Sequence, residues 1–165
     1  MSRFFPDYDP LKFNDTLPPY ADRSFPGVCW MKPQGSTQAF YARLRFTLNE
    51  KATIRFHVSG DRWFDLRLDG QFITDGPECS DSAHWCYSSF EEELMPGEHE
   101  FFARIVMLPA KLKPWNAMGG NCGFFFFAEA PFTELLSTGA GAWEFAIARS
   151  IVFPEDYGKA VYRLA

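Results

Sequence analysis

The segment "AFYARLRFTL", Ala39–Leu48, alternates between two kinds of side chain. Every even-numbered residue in it is apolar, while the odd-numbered ones include Arg43 and Arg45. Successive side chains of a β-strand point to opposite faces of a sheet, so this period of two predicts a strand with one buried and one exposed face. A helix would spread the same apolar residues around its circumference, and the pattern therefore excludes one here.

The same alternation continues in the segments that follow. "ATIRFHV", 52–58, predicts a strand with His57 on its exposed face. "DRWFDLRLDG", 61–70, predicts a strand that buries Phe64 and exposes Asp65, and Asp69-Gly70 predicts a two-residue turn because glycine accepts a positive φ. Further strands are expected at "QFIT", "WCYSSF", Glu98 to Leu108, "FFFFAEA" as a buried strand, and "FAIARSIVF".

About eight short strands separated by turn residues predict an antiparallel β-sandwich or jelly roll. Only "PFTELLSTG" offers a helical turn. The 165 residues suit one domain, which we expect to span residues 29–153, with a short strand at "VCWM". Residues 1–28, rich in Pro, Asp and Tyr, are expected to form an extended arm packed on this body, and residues 154–165 a tail or linker.

The net charge of −5 comes with 16 scattered Lys and Arg residues and no basic block. Nucleic acid and anionic membranes attract clustered positive charge, so neither is an expected partner. The start "MSRFFPDYDP" lacks a signal-peptide pattern, and the longest apolar runs are too short to span a bilayer. The compartment is left open, with the cytoplasm as the default expectation.

The four cysteines, Cys29, Cys79, Cys86 and Cys122, form no C-x-x-C pair and match no zinc spacing. Reduced thiols are the expectation, with one disulfide as the alternative in an oxidising compartment. His84 and Cys86 would share one face of a strand, but this spacing alone does not indicate a catalytic thiol.

Three aspartates, Asp61, Asp65 and Asp69, recur at intervals of four residues. Along a strand this interval is roughly 13 Å, whereas the two carboxylates of a glycosidase lie roughly 5–9.5 Å apart. The spacing therefore predicts no acid pair. Arg67 favours a charged outer strand face, with Asp65 as a surface residue and Asp69 as a turn residue. Asp61 precedes the strand, where its oxygen atoms could bind Ca²⁺.

Aromatic side chains near loops are the candidates for ligand binding: Trp63, Trp85, Tyr87 and Trp115, with Asn116 beside the last. Aromatic rings stack on sugar C–H faces while polar groups bond the hydroxyls, and loops at one rim of a sandwich can gather such groups. Alternatively, these rings cover sheet edges or pack against another domain. No phosphate-binding or nucleophile-elbow motif occurs, and Ser, His and Asp show no triad-like context.

Between residues 29 and 145 the chain carries a series of short motifs. They are Trp30-Met31, "RLRFTL", "SGDRWFDLRLDG", Gly76-Pro77, "HWCYSSF", "LMPGEHE" and "STGAGAW". In order and spacing this series resembles the N-terminal β-sandwich of bacterial α-L-rhamnosidase-like glycoside hydrolases. Asp61 takes the position of the Asp in the family's central motif, and Asp69-Gly70 stands in place of its Asn-Gly.

The resemblance implies a galactose-binding-like jelly roll without catalytic residues of its own. In such enzymes the catalytic carboxylates belong to a separate helical barrel. Some related sandwiches bind rhamnose through calcium, and others only brace the barrel. The implied partner is therefore a carbohydrate, such as a glycan that contains L-rhamnose, or a catalytic domain. No cofactor is required, and Asp61 is the one motif position implied as a calcium ligand.

Two other classes of function stay open. One is a purely structural or interaction domain without a ligand. The other is an independent jelly-roll enzyme, which would need clustered metal ligands. His57, His84 and His99 show no such spacing.

Overall fold

The structure is a computed structural model that describes residues 2–7, 29–35, 39–61, 63–76, 86–106 and 123–151. Within these ranges the strands make two antiparallel sheets that pack face to face, so the predicted β-sandwich is confirmed, with one strand more than expected. The elements are β1 (Ser2–Phe4), β2 (Ala39–Leu48), β3 (Ala52–Gly60), β4 (Trp63–Leu68), β5 (Gln71–Gly76), β6 (Ser88–Leu94), β7 (Gly97–Val106), β8 (Phe124–Ala128), α1 (Thr133–Leu136) and β9 (Glu144–Ile147).

The strand order places β7 at the centre of the larger sheet. The four-stranded sheet runs β1-β6-β3-β8, and the five-stranded sheet runs β5-β4-β7-β2-β9. β2 and β7 pair over their full length, from Ala39 opposite Val106 to Leu48 opposite Gly97. On its other side β7 pairs with β4, where Trp63 also lies opposite Val106. The first residues of β2 and β4 and the last residue of β7 therefore meet at one end of the sandwich.

The strands with the clearest alternation lie where the sequence predicts them. β2 has the predicted bounds, β3 contains the predicted segment 52–58, and β4 lies within the predicted segment 61–70. The segment "PFTELLSTG" contains one helical turn, α1, as expected. The turn between β4 and β5 has φ 50° at Asp69 and φ 78° at Gly70. Positive φ at both central residues is what a type I′ hairpin turn requires, and the turn prediction is confirmed.

Other elements differ from the prediction. β6 begins at Ser88 and runs through an acidic stretch to Leu94, because its outward carboxylates find partners on β3, as where Arg55 Nε lies 2.6 Å from Glu91 Oε2. The expected strand at "VCWM" is reduced to one bridge between Met31 and Phe124. β1 falls inside the segment predicted as an arm, and most of that arm lies outside the described residues.

Aromatic rings fill the space between the sheets. Phe101 of β7 is fully buried, and its ring centre lies 5.2 Å from that of Phe56 and 4.7 Å from that of Phe126, both in the opposite sheet. Offset and tilted contacts at such distances are the arrangements that aromatic pairs prefer. Full burial of each ring contributes about 1.5–3 kcal/mol, so these phenylalanines account for a large share of the stability.

The outer edge of β8 is closed by the segment that leads to β9. Thr138 donates its backbone N–H to Phe126 O at 2.8 Å, and Ser137 Oγ accepts the N–H of Ala128 at 3.0 Å. Trp143 packs on Phe126 and donates its indole N–H to Leu136 O at 2.8 Å. These bonds satisfy backbone groups that an open sheet edge would leave available for aggregation.

Candidate functional site

The two ends of the sandwich are built differently. At one end, which we call the turn end, short turns join β2 to β3, β4 to β5 and β6 to β7. At the opposite end, the loop end, the chain leaves the sheets at Gly76 and Val106 and re-enters them at Ser88 and Phe124. Long connections gathered at one end are where a rigid β-scaffold most often carries a binding site.

Asp61 lies at the loop end, where the chain crosses from β3 in one sheet to β4 in the other. Its backbone N–H donates to Gly123 O at 3.0 Å, which ties this crossing to the start of β8. The residue is only 7% exposed, although a loop residue was expected here. A carboxylate at this depth is held by its surroundings, because burying a charged group without hydrogen bonds or a cation is costly.

Trp63 opens β4 on the outer face of the five-stranded sheet. The guanidinium carbon of Arg104 lies 5.1 Å from the centre of its ring, a cation–π contact. The ring also packs against the small cluster of Ala39, Val106 and Ala148. Since Arg104 covers one of its faces, Trp63 offers a sugar less ring surface than its position in the sequence indicates.

Tyr87 lies on the other side of the sandwich. Its ring stands perpendicular to the ring of His57 at a centre distance of 5.6 Å, on the outer face of the four-stranded sheet. The structure therefore does not bring Trp63 and Tyr87 together, although both adjoin the loop end. Trp85, Trp115 and Asn116 lie outside the described residues.

The prediction that His57 is a surface residue is wrong, because its side chain is fully buried. Alternation correctly puts it on the outer face of β3, but aromatic side chains cover that part of the face. Its ring lies 5.7 Å from the stacked ring of Phe127 and 6.1 Å from that of Phe4. The alternation of residues along a strand shows which face of the sheet a side chain lies on. It does not show whether other side chains cover that face.

His57 joins a serine and a glutamate in one hydrogen-bonded row across three neighbouring segments. Its Nδ1 lies 2.8 Å from Ser89 Oγ, and its Nε2 lies 2.9 Å from Glu129 Oε1. A base between a hydroxyl and a carboxylate is the arrangement that activates the nucleophile of hydrolytic triads. Ser89, however, is only 3% exposed, so a substrate does not reach its hydroxyl in this conformation. The row acts as a buried polar network that satisfies the imidazole.

Sequence reasoning missed this row for a clear reason. Ser89 and His57 are separated by 32 positions, and Glu129 lies 72 positions beyond His57. Only the pairing of β3 with β6 on one side and with β8 on the other makes them neighbours. The available signal was a lone histidine in an otherwise regular strand.

Asp65 was predicted to be a surface residue, and this prediction is also wrong. It lies on the expected outer face of β4 but is buried beneath two guanidinium groups. Arg104 Nε is 2.7 Å from its Oδ2, and Arg67 Nε is 3.6 Å from its Oδ1. Long arginine side chains lie along a strand face and cover a short carboxylate between them.

Metal binding has little support from side chains alone. Within the described ranges, no group of three or more His, Cys, Asp and Glu residues is placed to hold a metal ion. Calcium also accepts backbone carbonyl oxygens and water, so Asp61 stays a hypothesis as its ligand. Cys29 and Cys86 are free thiols, and the other two cysteines lie outside the described ranges.

Comparisons with known proteins add no family. No protein-family model matches the chain, and a search of curated proteins gives no match. The part of the chain that the structure describes contains no helix that is long and apolar enough to cross a membrane.

Proposed function

We propose that this chain is a non-catalytic β-sandwich module that binds carbohydrate at its loop end, as part of a glycoside hydrolase resembling bacterial α-L-rhamnosidases. The observation that carries the proposal is Asp61, a buried carboxylate at the end of the sandwich from which the long connections leave. The 7% of Asp61 that is open to solvent is the part that a sugar hydroxyl group, or a calcium ion that bridges to one, would contact.

The geometry narrows which residues we expect to contribute. Trp63 and Tyr87 have their rings on opposite outer faces, so one sugar ring does not contact both of them. Arg104 already occupies a face of Trp63. We therefore expect Asp61 to matter most among the described candidates, and Trp63 to matter little.

Calorimetry tests the proposal directly. The intact chain is titrated with L-rhamnose and with galactose, each with and without Ca²⁺. We expect binding heat with one sugar in the wild type and its loss in Asp61→Asn, which keeps the size of the side chain and removes its charge. Glu50→Gln is the control for loss of one carboxylate charge, because Glu50 is exposed in the turn between β2 and β3, at the opposite end of the sandwich. Absence of heat in every wild-type titration would reject carbohydrate binding.

Support of a separate catalytic domain is a second candidate, favoured by exposed aromatic residues at the sheet edges. Phe5, directly after edge strand β1, is 86% exposed, and Phe72 in edge strand β5 is 58% exposed. Contiguous apolar patches mark surfaces that another domain covers, and Phe5 and Phe72 are the large side chains from which such patches would extend at these two edges. If no sugar binds, this role takes precedence, and Phe5→Ser with Phe72→Ser should then weaken association with the catalytic domain without lowering the stability of the module.

The independent enzyme is the least supported of the alternatives. It would require a substrate to reach Ser89, or ligands gathered from beyond the described residues. A fluorophosphonate probe that labels the wild type and leaves Ser89→Ala unlabelled would favour it over both other roles.

A further inference from the structure

His99 lies in β7 at the turn end and bonds through both of its ring nitrogens. Nδ1 is 2.7 Å from Asp69 Oδ2, in the turn between β4 and β5. Nε2 is 2.9 Å from Met95 O, at the turn between β6 and β7. The ring packs beside Phe46 at a centre distance of 5.5 Å, and 12% of the side chain is exposed. The imidazole therefore spans two turns that belong to different sheet connections.

Both partners of His99 can only accept a hydrogen bond. An ionised carboxylate and a backbone carbonyl have no proton to donate, whereas a neutral imidazole carries one N–H and one lone pair. Only the imidazolium form, with two N–H groups, makes both bonds at once. In the neutral form one of the two acceptors would face a lone pair at less than 3 Å. We propose that His99 is a pH-operated clasp that ties the two turns together when it is protonated.

The two hydrogen-bond partners of the ring favour its protonated form, and among the charged groups nearby it is Asp69 that acts on it. Asp69, Glu98 and Glu100 line the same cleft of about 360 Å³, and Arg45 is the one cationic side chain among its lining residues. Arg45 Nε lies 2.9 Å from Glu100 Oε2, so its charge is largely compensated within the cleft. Partial burial acts to lower the pKa of His99, but the hydrogen bond to Asp69, the bond to Met95 O and the charge of Asp69 together raise that pKa above its ordinary value.

The raised pKa of His99 determines how stability changes with pH. Because the pKa of His99 is higher in the folded state, the clasp stabilises the fold fully below the unfolded pKa of about 6.5. Its contribution is lost as the pH rises through the folded pKa. The turn end therefore loosens as the pH rises through the pKa of His99.

Asp69 allows a substitution that alters the clasp and leaves the turn in place. Its Oδ1 accepts the N–H of Glu100 at 2.8 Å, and its own N–H donates to Glu100 O at 2.9 Å. Asparagine tolerates the positive φ of this position and can still accept from Glu100. Its amide NH₂ can also donate to His99 Nδ1, which favours the neutral imidazole. Asp69→Asn should therefore invert the protonation preference of His99.

Nitrogen-15 NMR of the imidazole rings in the intact chain tests the clasp. We expect the pKa of His99 to lie above its ordinary value in the wild type and to fall in Asp69→Asn, because the hydrogen bond to a carboxylate is lost. Asp75→Asn removes the same charge from another part of the five-stranded sheet and should leave that pKa unchanged. Below the pKa, both ring N–H protons of His99 should be visible and protected.

Three results would overturn the clasp. The first is a wild-type His99 that titrates at or below the ordinary value of about 6.5. The second is an equal shift in Asp69→Asn and Asp75→Asn, which would indicate long-range charge in place of a hydrogen bond. The third is a wild-type imidazolium in which one of the two ring N–H protons exchanges freely with water, because that proton would then lack its hydrogen bond. This result needs no variant.

Discussion

At the scale of single residues, the polar groups that alternation places on the outer faces divide into two kinds. Some, such as Arg43 and Arg45, are accessible and pair with carboxylates at the surface. Others, such as His57 and Asp65, are buried and depend on specific partners. The second kind should dominate the response to mutation, because removing the partner of a buried polar group costs more than an exposed pair contributes.

Glu129 provides the test at this scale. Glu129→Ala removes the acceptor 2.9 Å from His57 Nε2 and leaves a fully buried ring nitrogen without that partner. We expect a loss of about 1–3 kcal/mol in the free energy of unfolding, measured by urea denaturation. Glu129→Gln keeps an oxygen acceptor and should cost about 1 kcal/mol or less.

Glu50→Ala, in the turn between β2 and β3, serves as the control for loss of an exposed carboxylate and should change the unfolding midpoint little. If Glu129→Ala behaves like Glu50→Ala, the row of Ser89, His57 and Glu129 makes no contribution to stability. If both substitutions of Glu129 are equally costly, the negative charge matters and the acceptor oxygen does not.

For these residues the sequence predicts the face of the sheet on which each side chain lies, but not its burial. Alternation assigned His57 and Asp65 to the outer faces correctly, because the direction of a strand side chain depends on local geometry alone. Their burial depends on Phe127 from β8 and on Arg104 from β7, both distant in the chain. Asp69-Gly70 was predictable in full, since a two-residue turn is determined by its own backbone angles.

At the scale of elements, β9 is the strand whose anchoring is least evident, since it has four residues and, within the described ranges, pairs with β2 alone. Arg43 and Glu144 form an ion pair there, and their hydrogen bond lowers the pKa of Glu144 and raises that of Arg43. Both side chains are exposed, so solvent screens the pair. Phe145, by contrast, packs on Phe40 in the main core.

We therefore expect packing to hold β9 in place. Phe145→Ala should lower the free energy of unfolding by about 2 kcal/mol, because it removes a half-buried ring from the core. Glu144→Gln should leave the unfolding curve close to that of the wild type. Urea denaturation monitored by circular dichroism compares the two substitutions. A larger effect for Glu144→Gln than for Phe145→Ala would assign the anchoring to the ion pair.

At the scale of the whole molecule, the class of fold can be predicted from the sequence. Which polar and aromatic side chains become neighbours cannot. The number and alternation of strands sufficed for the class of fold, since each strand reports its own buried face. The order of strands in each sheet depends on contacts between distant segments. That order separates the ring of Trp63 from the ring of Tyr87 and gathers Ser89, His57 and Glu129.

The ring of Phe101 is placed to couple the two sheets, and we expect them to unfold as one cooperative unit. Its ring contacts Phe46 in its own sheet and both Phe56 and Phe126 in the opposite sheet. Phe101→Leu should therefore lower the free energy of unfolding by about 1–3 kcal/mol and reduce hydrogen-exchange protection in both sheets by the same amount. Phe72→Leu, at an exposed position of edge strand β5, is the matched control and should leave protection unchanged. Protection lost in the five-stranded sheet alone would mean that the two sheets unfold separately and that the aromatic core does not couple them.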